Sequence, residues 1–249
     1  MNLYQSQDQY YQAILNLIDN RQFNASQLTS LELKLVETIF LGAHRQGILD
    51  DPLFYMKSHH IRTGSRVRRD ELSGNSPSFI NGRNAWSRMQ VYQQINDSAS
   101  AIEKVMPLLG LADWHRLFNR RGHANDLYLE ARDYLLAEQV DPQEINALLN
   151  PLIPVQLPDF APRPHSRRSL GIPDYVTPEW TGYVDVSFNL NKYGSVHNLK
   201  IIASSENATG DIISRLRRVL RHSPFRPALR DIEQGTTTAM QLRYYFAQM

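Results

Sequence analysis

Apolar and polar residues alternate most regularly near the C-terminus. From Val184 the apolar side chains fall at every second place (Val184, Val186, Phe188, Leu190), with Asp185, Ser187 and Asn189 between them. A period of two is that of a strand with one buried and one wetted face. Asn191 to Gly194 then supplies a turn ending in a residue that tolerates positive φ, and Val196 to Ile202 reads as the returning strand, so Gly182 to Ser205 is predicted to be a hairpin. Downstream, Ile212, Ile213, Leu216, Val219 and Leu220 have the spacing of an amphipathic helix. Pro224 to Ala228 ends it, Asp231 to Gly235 makes a turn, and Met240, Leu242, Tyr244 and Phe246 alternate as a last strand. The order strand, strand, helix, strand predicts a small antiparallel sheet with a helix on one face.

The first half of the chain carries the helical period instead. Tyr10, Tyr11, Ile14, Leu15, Leu17 and Ile18 predict a helix from about Tyr4 to Asp19, and a second is expected near Ser26 to His44. Leu53, Phe54 and Met56 suggest a short helical turn. A long surface loop is expected over about 57–84, holding His59, His60, Arg62, Arg66, Arg68 and Arg69. Helical spacing then runs from Ala85 to about Leu109, breaks at Pro107 to Gly110, and resumes at Trp114 and at Ala124 to Leu136. Ala124, Tyr128 and Ala131 have a small, large, small spacing that resembles the second helix of a tetratricopeptide-type hairpin, with Trp114 and Leu117 as first-helix positions. Asp141 and Pro142 open a further short helix.

Between the two patterns the composition shifts. Seven prolines from Pro151 to Pro178, interspersed with Arg163, His165, Arg167 and Arg168, rule out a helix and predict an extended connector. The domains expected are therefore 1–150, all-α and built of helical hairpins, then a proline-rich connector at 151–178, then a β-β-α-β unit at 179–249, making the fold α+β.

Composition narrows the chemistry. A net charge of +2 over 249 residues gives no global attraction to nucleic acid or anionic membrane. The absence of cysteine excludes disulfides, thiolate metal sites and a cysteine nucleophile. No apolar run approaches the roughly 20 residues of a membrane span. Metalloprotease histidine pairs, nucleophile elbows and phosphate loops are all missing, so no enzymatic function, cofactor or metal is expected. In Asp113-Trp114-His115 the tryptophan reads as a packing anchor and His115 as its solvent-facing neighbour.

The ordered set from Gly182 to Phe188, Gly194 to Ser205, the amphipathic helix, Phe225 to Ala228, Gly235 and the closing Tyr244 to Phe246 resembles the C-terminal domain of TonB-type proteins. That resemblance covers about residues 170–249. It implies periplasmic work in a Gram-negative bacterium, in which an extended peptide of an outer-membrane or periplasmic protein is captured as an added strand. On this reading the partner-binding residues are Thr237, Ala239, Gln241, Arg243 and Tyr245, alternating along the open edge of the last strand. The same edge could join two copies as a homodimer. The N-terminal membrane helix and long spacer of the family's transducers are not found here, and the start at Met1 lacks the regions of a signal peptide. A periplasmic protein would need a leader absent from this chain, whereas Met1 as native start would make it cytoplasmic. The alternative is a cytosolic nucleic-acid-binding or regulatory module using the Arg66 to Arg69 loop and Arg215, Arg217, Arg218 and Arg221.

Overall fold

The computed structural model describes residues 25–43, 53–56, 61–62, 73–149, 182–222 and 225–247, together with Gln9 and Gln12. The protein is α+β and divides into two compact units, residues 1–44 with 67–148 and residues 45–66 with 149–249. The helix expected at 4–19 (Gln9 and Gln12 apart), the pair His59 and His60, the Arg66 to Arg69 loop and the connector at 151–178 lie outside the described residues.

Among the described residues the first unit contains helices α1 (Ala25–Ala43), α2 (Pro77–Gln94), α3 (Ala101–Leu117), α4 (Arg121–Ala137) and α5 (Pro142–Leu148), each long helix packing on the next. The loop expected to reach residue 84 is shorter, because α2 begins at Pro77. Ser76 caps it, its hydroxyl accepting from the Phe79 amide at 3.2 Å, and a proline in the first turn forfeits no helical hydrogen bond. The single apolar run from Ala85 to Leu109 is in fact two helices. Their breakpoint is set by Ser100 and Glu103, which form a reciprocal capping box, and not by Pro107. Val91 and Ile95 extended the apolar spacing toward the turn, yet they are 58% and 68% exposed. Pro107 and Gly110 lie inside α3, where burial outweighs propensity. A Cβ on Gly110 would come within 2.3 Å of the Trp86 ring, so that position needs glycine for close packing.

Trp114 anchors the helical unit as expected. It is fully buried, its indole N–H donates to the Phe79 carbonyl at 3.1 Å, and its ring tilts against Phe118 with centroids 4.9 Å apart. Gly82 provides the floor, since a Cβ there would lie 2.1 Å from Trp114 Cζ2. Ala124, Tyr128 and Ala131 are all buried, and Tyr128 donates its hydroxyl to Asp113 at 2.6 Å. Across α1 and α2, Arg88 donates from Nε and Nη2 to the two carboxylate oxygens of the buried Glu32, at 2.5 and 2.8 Å.

The second unit is an antiparallel sheet of order β2-β1-β5-β3-β4, built from β1 (Leu53–Met56), β2 (Ile61–Arg62), β3 (Gly182–Asn191), β4 (Val196–Ser204) and β5 (Thr237–Ala247). The hairpin β3–β4 and the final strand match the alternation in the sequence. Residues 53–56 do not form the helical turn expected of them. Four apolar residues, two of them aromatic, carry no distinguishing period, and pairing with β5 satisfies their backbone.

Among the described residues the unit also holds helices α6 (Gly210–His222) and α7 (Leu229–Gln234), and α6 covers one face of the sheet. Ile212, Leu216 and Leu220 meet Val184, Val186, Phe188 and Leu190 of β3 and Met240, Tyr244 and Phe246 of β5 in one apolar core. The turn expected at Asp231 to Gly235 is the end of α7, closed by Gly235 in the left-handed region at φ 68°. Buried Asp231 accepts from Thr236 and Thr238 at 2.5 and 2.6 Å, tying the helix to the start of β5. Among the described residues no helix is long and apolar enough to cross a membrane.

The hydroxyl of Tyr244 is buried in this core without a hydrogen-bond partner among the described residues, and burial raises its pKa. An unsatisfied buried hydroxyl costs about 1–3 kcal/mol. Tyr244→Phe removes it while filling the same space, so the variant should be more stable by about 1 kcal/mol in denaturant unfolding of the sheet unit. A destabilised variant would mean that the hydroxyl is satisfied in solution.

Candidate functional site

Which way the backbone of β5 points can be derived from β3. The Tyr183 carbonyl accepts from the Ser205 amide at 3.0 Å and the Asn191 amide donates to the Ser195 carbonyl at 3.2 Å, so odd-numbered residues of β3 address β4. Even-numbered residues of β3 must then address β5. Register between β3 and β5 is unbroken from Gly182 opposite Phe246 to Asn191 opposite Thr237. The mutually bonded pairs are therefore Val184 with Tyr244, Val186 with Leu242, Phe188 with Met240 and Leu190 with Thr238. It follows that the amides and carbonyls of Thr237, Ala239, Gln241, Arg243 and Tyr245 point away from β3. These are the five residues singled out from the sequence.

They are not all open. Strand β1 pairs antiparallel with the end of β5, placing Tyr55 opposite Tyr245, Phe54 opposite Phe246 and Leu53 opposite Ala247. Tyr245 is thus removed from the expected free edge, because the chain supplies its own strand there. From Thr237 to Tyr244 no described residue pairs on that side. Four residues, Thr237, Ala239, Gln241 and Arg243, each present one donor and one acceptor along a straight edge.

The side chains of these residues lie on the sheet face opposite α6, where Thr237, Ala239 and Gln241 are exposed. Arg243 is already engaged. It makes two hydrogen bonds to Asp185, at 2.6 and 2.7 Å, and its guanidinium stands 4.1 Å from the centroid of the Tyr183 ring. With Arg243 about half exposed, the pair contributes little to stability, and its main effect is to hold the side chain flat on the sheet beside the edge.

The outer edge of β4 differs in kind. Register shifts interrupt β3–β4 pairing between Asp185 and Val186 and between Ser187 and Asn189, and Asn198 sits at φ 52°. Bulges of this sort twist an edge and blunt it against pairing. The regular edge of β5 has no such protection over Thr237–Tyr244.

Asp113, His115 and Arg215, also singled out in the sequence, are engaged within the fold. His115 is buried, not solvent-facing: its ring meets the Phe79 ring edge-on at 5.1 Å and stacks on His123 at 5.7 Å. Asp113 is taken by Tyr128, and Arg116 is buried beside them, its pKa lowered to about 10 by desolvation. On α6, Arg215 pairs with Asp211 one turn earlier at 2.8 Å, while Arg217 and Arg221 are exposed. No group of three metal-ligating side chains occurs among the described residues.

The share of the site contributed by β1 departs from the helical turn expected at residues 53–56. Leu53 to Met56 followed by Ile61 has the composition of two short strands, and that was the available signal. Comparison with known proteins gives no match to a protein-family model, to a curated protein or to a solved structure.

Proposed function

We propose that the protein is a non-enzymatic interaction module that captures an extended peptide segment of a protein partner as an added strand on the Thr237–Tyr244 edge of β5. One observation carries this reading. The edge already accepts an antiparallel strand, β1, over its last three residues, and on that side the same backbone continues without a partner strand for a further eight among the described residues. Main-chain hydrogen bonds would supply affinity and the exposed outer-face side chains selectivity. The resemblance of residues 170–249 to TonB-type C-terminal domains supports the same mode of binding, and with it a periplasmic setting and a partner from the outer membrane or periplasm. The helical unit, with its tetratricopeptide-like spacing, serves in this reading as a scaffold.

Proline at position 241 tests the mode. The Gln241 amide points away from β3, so Gln241→Pro removes an edge donor and leaves the β3–β5 ladder intact. Peptides selected by display against the wild-type protein should bind Gln241→Pro at least about tenfold more weakly, a loss of about 1.4 kcal/mol. On binding they should protect the amides of residues 239, 241 and 243 from hydrogen exchange. Selected peptides that bind a folded Gln241→Pro variant unchanged, or that leave those amides unprotected, refute strand addition. Self-association through the edge would appear instead as a concentration-dependent dimer that the same substitution dissolves.

A further inference from the structure

We propose that the helical unit carries a second, independent docking groove, shaped and charged for a short extended segment of a partner protein that presents a basic side chain beside an aliphatic one. Helices α2, α3 and α4 surround an open cavity of about 780 Å³, within the range of sites that hold small ligands or a few residues of a peptide. Its floor is Val105 and Leu108 of α3, one turn apart. One wall is α2, which presents Gln90 and Gln94 at a spacing of one turn. Primary amides at that spacing can donate to and accept from a peptide backbone lying along the wall.

The other wall is α4. Asp126, Leu129, Glu130 and Asp133 recur at helical spacing and face the cavity together. With Lys104 they leave the groove two charges negative, three carboxylates against one ammonium. Asp133 is bound by Arg132 at 2.7 Å, so its charge is largely answered within the chain. Asp126 and Glu130 are exposed, and neither forms an ion pair among the described residues. Helices α3 and α4 are antiparallel neighbours, which places Lys104 toward the Asp133 end and leaves the unanswered charge at the Asp126 end. A bound segment would set its basic side chain between Asp126 and Glu130 and its aliphatic one on Val105, Leu108 and Leu129. Lys104 would disfavour a second cation at the far end.

Length follows from the helix. From Asp126 to Tyr134 the lining residues span about 12 Å at a rise of about 1.5 Å per residue. An extended chain covers that distance in about four residues. The groove is unrelated to the β5 edge, and its occupancy does not depend on strand addition.

The test uses the full chain and a fluorescent, end-capped hexapeptide alternating leucine and arginine, beside a counterpart with glutamate in place of arginine. Fluorescence anisotropy should show binding of the basic peptide at micromolar concentration and at least about tenfold weaker binding of the acidic one. Raising ionic strength from about 0.01 to 0.15 M should weaken the basic peptide severalfold. The double variant Asp126→Lys, Glu130→Lys changes only exposed positions of α4, and it should reverse the preference while keeping the wild-type melting curve. Gln241→Pro should leave this binding unchanged. The groove assignment is overturned if both peptides bind alike, if neither binds up to about 1 mM, or if a folded double variant keeps the wild-type preference.

Discussion

Trp114→Ala should cost the helical unit about 3–5 kcal/mol, the range seen when a buried aromatic is cut back to a methyl group. That is a large share of the roughly 5–15 kcal/mol by which domains are stable. The loss has three sources. A void opens between α2 and α3, the tilted contact with Phe118 disappears, and the Phe79 carbonyl loses the donor that reaches it at 3.1 Å. With two compact units in the chain, one melting temperature would blur the effect, so the measurement is hydrogen exchange of amides in α2, α3 and α4. Those amides should exchange far faster while the β3 and β5 amides do not. Gly82→Ala supplies an internal check. In the wild type its methyl group collides with Trp114, whereas in the Trp114→Ala background the cost should largely vanish, giving a coupling of about 1 kcal/mol or more. Val91→Ala, at a position 58% exposed, should stay within about 0.5 kcal/mol of wild type. Equal exchange in wild type and Trp114→Ala would remove Trp114 from its place as anchor.

Acid should weaken the same unit through His115. Burial lowers its pKa to about 4, and the neighbouring positive charges of His123, Arg120 and Arg83 push the same way. An unfolded histidine titrates near 6.5. Between these values the unfolded chain binds a proton that the folded chain refuses, so stability is full above about pH 6.5 and declines as pH falls toward 4. The total is on the order of 3 kcal/mol. His115→Phe keeps an aromatic ring against Phe79 and removes the titration. Its unfolding free energy should therefore be flatter than that of wild type between pH 6.5 and 4, as read from urea curves followed by helical circular dichroism. Parallel curves for the two proteins would show that His115 is solvated and titrates normally.

Much of the architecture is legible one residue at a time. A strict period of two at Val184 to Leu190 can be satisfied only by a strand with one dry face, and the structure has that face against α6. Capping chemistry at Ser76, Ser100 and Asp141 is equally local. At Asp141 the side-chain oxygen bonds the amide two residues on at 2.6 Å, as expected, whereas Ser76 and Ser100 cap in the same way at 3.2 Å at positions where a loop and an unbroken helical spacing were expected. Asn191 shapes the hairpin turn in the same way, accepting from the amides of Tyr193 and Ser195.

At several positions distant contacts overrule local preference. Pro107 and Gly110 look like breakers, yet both belong inside α3, because Trp86 packs against the glycine and the buried face holds the helix through the proline. His115 looks like a surface neighbour of Trp114. It is buried because α4 brings His123 over its ring while α2 brings Phe79 to its edge.

The candidate site divides along the same line. By itself the sequence determined that Thr237, Ala239, Gln241, Arg243 and Tyr245 share one face and one parity of the last strand, since alternation depends only on the pleat. Only the tertiary structure decided that this parity points away from β3, that β1 covers the end at Tyr245 and that the side of Thr237 to Tyr244 away from β3 has no partner strand among the described residues. The physical reason is that hydrogen bonds between strands join residues nearly two hundred positions apart, such as Tyr55 and Tyr245, and no local period along a chain records which strand its neighbour will be.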